Sequence, residues 1–69
     1  MPRYTIDVDD KFDKNLSDLQ QKTGASSKAE VIRNAVAVYN YLKNEVPEVD
    51  GTQKVSIKNG DDTTNVIIP

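Results

Sequence analysis

A chain of 69 residues with no cysteine and no histidine makes one domain at most, without disulfides or ordinary zinc sites. Chains this short bury only about 60% of their unfolded surface, so a second subunit is the staple that remains. The net charge of −2 argues mildly against nucleic acid, for which a basic domain is the usual footprint.

The charge distribution softens that objection. Through residue 46 seven basic residues balance seven acidic ones, whereas beyond it Lys54 and Lys58 stand against Glu48, Asp50, Asp61 and Asp62. The opening residues Met1-Pro2-Arg3-Tyr4 hold no apolar core of signal-peptide length. No apolar run approaches the roughly 20 residues that cross a bilayer. A cytoplasmic protein with no membrane partner is the expectation.

Residues 3–8, Arg-Tyr-Thr-Ile-Asp-Val, alternate polar and apolar, the signature of a half-buried strand. Tyr4, Ile6 and Val8 share one face; Arg3, Thr5 and Asp7 share the other. Asp9 and Asp10 end the strand and suit the first turn of a helix. Phe12, Leu16 and Leu19 then form one amphipathic stripe, opposite Lys14, Ser17, Asp18 and Gln21, and Gly24 stops the helix, predicted over about 10–23.

After Ala25-Ser26, the run Ser27-Lys28-Ala29-Glu30 is a capping box, with Ser26 as the alternative cap. A second helix is predicted from there to about Val46, ended by Pro47. Ile32, Ala35, Val36, Tyr39, Leu42 and Val46 form its stripe, and Val31 and Val38 widen it. A helix this apolar around its circumference must be surrounded by protein. In the tail, Glu48-Val49-Asp50-Gly51-Thr52 reads as a loop. Lys54-Val55-Ser56-Ile57-Lys58 and Thr63-Thr64-Asn65-Val66-Ile67-Ile68 flank a turn at Asn59-Gly60-Asp61-Asp62, so a C-terminal β-hairpin is predicted.

The first strand has no hairpin partner beside it, and its backbone groups need one. Either the C-terminal hairpin or the same strand of a second chain can supply it. A two-fold axis through an antiparallel pair of first strands also joins two copies of the second helix, so one homodimer answers both demands. The expected dimer core is Tyr4, Ile6, Val8, Ile32, Ala35, Val36, Tyr39 and Leu42.

The order of strand, helix ending in Thr23-Gly24, Ser-rich turn and Ala-Glu-Val-Ile-Arg-Asn-Ala-Val at 29–36 resembles the ribbon–helix–helix superfamily, the Arc and MetJ type of repressor. The resemblance covers roughly residues 3–46. It implies a mainly α fold with a short N-terminal strand, in which an intersubunit antiparallel β-ribbon and two helices per chain form the dimer. A DNA-binding and dimerisation domain over 1–46 and an extension over 47–69 follow from it.

By the same resemblance the ribbon enters the major groove of double-stranded DNA, with Arg3, Thr5 and Asp7 toward base edges. Ser26, Ser27 and Lys28, at the start of the second helix, would sit on a phosphate, which a helix N-terminus favours in any case. Asp7 is the departure, since phosphate repels a carboxylate. It either reads a cytosine amine or orients Arg3 of the partner chain.

The function implied is a sequence-specific, homodimeric transcriptional repressor, with higher-order assembly on DNA open. One alternative is an antitoxin whose tail binds a protein partner, and another is a scaffold that binds no DNA. The tail itself could complete each subunit, offer a binding edge, or be partly mobile. With no phosphate-binding glycine loop and no nucleophile elbow, no enzyme, cofactor or metal is expected.

Overall fold

The computed structural model describes residues 2–69. Two helices come first and an antiparallel sheet follows: α1 (Asp10–Thr23), α2 (Lys28–Glu45), β1 (Glu48–Val49), β2 (Thr52–Asn59) and β3 (Asp62–Ile68). This order corrects the expected fold, a mainly helical ribbon–helix–helix chain opened by a strand. Residues 2–9 enter no strand, and every strand among the described residues lies after the helices. The reason is physical. A strand exists through its ladder, and short loops close the tail's ladders at low entropic cost, while residues 3–8 gain no ladder partner among the described residues.

Local chemistry fixes α1 at both ends. The Asp9 carboxylate accepts the Phe12 amide at 2.8 Å, and the Asp9 carbonyl accepts the amide of Asp13 at 3.0 Å. At the other end Gly24 takes φ +71°, and its amide returns to the Gln20 carbonyl at 3.0 Å. Only glycine adopts that left-handed conformation without strain, so Gly24 is what allows the chain to leave the helix there.

In α2, Ser27 is the cap, its hydroxyl accepting the Glu30 amide at 3.1 Å. Among the described residues the reciprocal half of the expected capping box does not form, and the Glu30 carboxylate accepts from the Arg33 guanidinium at 2.9 Å. An exposed pair of this kind contributes less than about 1 kcal/mol.

The sheet runs in the order β1-β2-β3, with both pairs antiparallel. Gly60 and Asp61 make a two-residue turn between the paired residues Asn59 and Asp62. A second hairpin precedes it, where Val49 pairs with Thr52 across Asp50-Gly51. Both turn residues have positive φ, 54° at Asp50 and 75° at Gly51, which is the backbone of a type I′ turn. The stretch expected to be a loop is therefore a hairpin turn, and Asp-Gly is a residue pair that this turn demands.

The chain packs as two compact units, one through Ala35 and one from Val36. Leu16 and Val31 are buried in the first, Gln53 and Ile68 in the second. In the second unit polar side chains tie the sheet to the last turns of α2. Gln53, only 7% exposed, donates from Nε2 to the carbonyls of Lys43 at 3.0 Å and Val46 at 2.8 Å. Those carbonyls lie where a helix runs out of its own donors, so Gln53 acts as a C-terminal cap supplied from another element. The Pro69 carbonyl accepts from the Tyr39 hydroxyl at 2.7 Å and from Lys43 Nζ at 3.3 Å.

Gln53→Leu keeps the volume and removes both donors. It is expected to destabilise the second unit by about 1–3 kcal/mol. Thermal unfolding measures the loss, and faster amide exchange in β2 and β3 locates it.

Candidate functional site

The segment before α1 carries the residues expected to meet base edges. Arg3, Thr5 and Asp7 are exposed, and neither Arg3 nor Asp7 enters an ion pair among the described residues. Tyr4, Ile6 and Val8, expected in a core, are also open to solvent in the chain, at 86%, 63% and 45% exposure. Between the segment and the first turn of α1 lies a shallow hollow of about 210 Å³, lined by Ile6, Asp7, Val8, Asp9 and Phe12. Ile6, Val8 and Phe12 give the hollow apolar walls, and Asp7 and Asp9 set two carboxylates beside them.

The expected phosphate site is built at the start of α2. Ser26 is exposed and Ser27 half-buried, and Glu30 is the one amide of the first turn that a side chain engages. The amides of Lys28 and Ala29 have no acceptor among the described residues. They add to the positive end of the helix dipole. Lys28 is engaged, however. Its Nζ lies 2.6 Å from Asp13 Oδ1 on α1, with both side chains about half exposed. A phosphate at this turn would have to draw Lys28 away from Asp13. That exchange is cheap, since exposed pairs contribute only about 0–1 kcal/mol.

No hydrogen bond or ion pair joins residues 3–8 to residues 26–28 among the described residues. None of these bonds ties the two groups of candidate residues together. The α2 stripe spans both units, with Ile32 and Ala35 in the first and Val36, Tyr39 and Leu42 in the second. Ile32 and Leu42 are half-buried, while Ala35, Val36 and Tyr39 are exposed. The residue of α2 that the chain does bury is Val31, which lies to one side of that stripe.

No protein family, curated protein or solved structure matches this chain. What it does must be read from the surfaces it leaves open. No described helix is long and apolar enough to cross a membrane. Two of the interactions above had no signal in the sequence pattern. The Lys28–Asp13 pair joins residues 15 apart, and Gln53 is a polar residue at a strand position whose burial depends on reaching back to α2. Asp50-Gly51, by contrast, carried a readable turn signal.

Proposed function

We propose that this chain is a cytoplasmic homodimer that binds double-stranded DNA in a sequence-dependent way and represses transcription. The observation that carries the reading is the exposed apolar set: Tyr4, Ile6 and Val8 ahead of α1, and Val36 and Tyr39 on α2. Only Leu16, Val31 and Ile68 are buried hydrophobic residues among those described. A core of that size does not stabilise a chain of 69 residues, and a second copy covering the exposed set would enlarge it.

The DNA part of the reading is supported by where the cations stand. Arg3, Lys11, Lys14 and Lys22 of the first unit enter no ion pair among the described residues. Arg3 and Thr5 are exposed on the segment before α1, available to base edges. The uncapped amides of Lys28 and Ala29, with Ser26 and Ser27, suit a backbone phosphate, which fixes register without reading sequence. The acidic excess lies in the tail, away in sequence from both groups.

Selection of binding sites from a pool of random duplexes, followed by a salt titration of the selected duplex, tests the proposal. An enriched motif is expected, with an affinity that falls steeply as salt rises, because each phosphate contact releases a counterion. A chain that retards no duplex even at low salt would be an interaction scaffold, and the proposal would fail.

A further inference from the structure

The outer edge of β3 is long and undefended. Natural sheets protect their edges by brevity, lysine, proline or bulges. On the opposite side β1 is two residues long, and the stretch of β2 that it leaves uncovered, Lys54–Asn59, carries Lys54 and Lys58. β3 has neither protection. It runs seven residues, Asp62-Thr63-Thr64-Asn65-Val66-Ile67-Ile68, with no lysine or proline and with unbroken register against β2. In an antiparallel pair closed by a two-residue turn, bonded and non-bonded pairs alternate from the closing pair outward. With Asn59 and Asp62 as that closing pair, the backbone groups of Thr63, Asn65 and Ile67 point away from β2.

We infer that β3 pairs antiparallel with β3 of a second copy about a two-fold axis at Asn65, joining two three-stranded sheets into one of six strands. Charge selects the antiparallel arrangement. The only charged residue of the strand is Asp62, which a parallel pairing would set against its own copy. The antiparallel register centred on Asn65 sets it opposite Ile68 and keeps the two acidic turns at opposite ends. Thr63 then faces Ile67 of the other copy, and Thr64 faces Val66.

The central row is self-complementary in detail. The Ser56 hydroxyl donates to Asn65 Oδ1 at 2.9 Å, while the Asn65 amide nitrogen donates to nothing among the described residues. Two Asn65 side chains meeting at the axis give that nitrogen an acceptor and form a short polar ladder, Ser56-Asn65-Asn65-Ser56, of the kind that stacked strands favour. On the other sheet face Val55 and Val66 would continue through Thr64 to Ile57 of the second copy. This adds apolar contact beside Val66 and Ile57, both exposed in the chain.

The pairing of β3 calls on none of the apolar side chains ahead of α1 or on α2, so a chain using both would assemble as pairs of dimers. The inference does not need DNA, and neither does its test.

Oxidative cross-linking of single-cysteine variants reads the register, because the chain has no cysteine of its own. Opposed residues of a bonded pair have Cα atoms about 5.5 Å apart, within reach of a disulfide. Asn65→Cys is expected to form a disulfide-linked pair of chains. Thr63→Cys is expected not to, since its copies stand four residues apart along the pairing, and a mixture of Thr63→Cys with Ile67→Cys is expected to link. Sedimentation supplies the second reading. Ile67→Lys adds the charge that edges normally carry, and Asn65→Pro removes an outward N–H that β2 does not use. Each is expected to lower the assembled mass about twofold while leaving any DNA motif unchanged.

Equal cross-linking at residues 63 and 65 would overturn the register. Unchanged mass in both edge variants, with rapid amide exchange at Thr63, Asn65 and Ile67 in the unsubstituted protein, would overturn the pairing itself and leave the edge to a partner of different sequence. Failure of the duplex selection would leave all of these readings intact, so the two proposals fail separately.

Discussion

Val36→Lys is expected to cost about 3–5 kcal/mol, while Tyr41→Lys on the same helix costs less than about 0.5 kcal/mol. Within the chain the two positions look alike, Val36 being 61% exposed and Tyr41 65%. A chain acting alone would tolerate lysine at either. They differ in direction, since Val36 lies within the stripe of Ile32, Ala35, Tyr39 and Leu42, and Tyr41 lies on the opposite side of α2.

If a second copy covers the stripe, lysine at 36 places an unpaired ammonium in a dry interface. The penalty then falls on association. Unfolding should become steeply concentration-dependent in Val36→Lys, with a midpoint that recovers as protein is added. Chemical denaturation at several protein concentrations, run beside Tyr41→Lys, makes the comparison. Equal stability of the two variants, independent of concentration, would show that the stripe has no partner and remove the dimer from the proposal.

How much of this was legible in the sequence depends on how locally each feature is determined. The limits of α1 follow from Asp9 and Gly24, each of which acts within four residues through one hydrogen bond or one left-handed φ. The hairpin of β2 and β3 was legible for the same reason, in alternation on both sides of a turn. Its neighbour was missed although Asp50-Gly51 carries an equally explicit turn, because two residues of β1 are too few to show alternation.

The segment 3–8 is the instructive failure. Alternation at Tyr4, Ile6 and Val8 reports which side chains would gain from burial. It cannot report what pairs with their backbone, and among the described residues no strand does. The same limit applies to α2. Its stripe identified the apolar side of the helix, but the chain buries Val31 and leaves Val36 and Tyr39 open. Gln53 lies beyond pattern reading altogether, since its burial is caused by two carbonyls at the end of a helix seven and ten residues away.

Arg3→Ala carries the other large effect, on recognition rather than stability. Arg3 is exposed, in no ion pair among the described residues, and precedes Asp9, the N-cap of α1, by six positions. Its removal should leave the fold untouched. In the proposed complex its guanidinium donates two hydrogen bonds to one guanine, and losing such a contact costs about 1–3 kcal/mol, roughly 5- to 150-fold in affinity for the selected duplex.

Affinity for unrelated duplexes should fall far less, so the variant loses discrimination first. A residue that met only phosphate would behave differently, weakening every duplex alike and lowering the salt slope by about one. Asp7→Ala supplies the complementary reading. If Asp7 only repels phosphate, every duplex binds more tightly and the motif is unchanged. If it orients Arg3 of the partner subunit or accepts from a cytosine amine, the selected motif itself relaxes. Parallel selections with the unsubstituted protein, Arg3→Ala and Asp7→Ala therefore separate sequence reading from simple charge, and an unaltered motif in Arg3→Ala would move recognition away from the segment before α1.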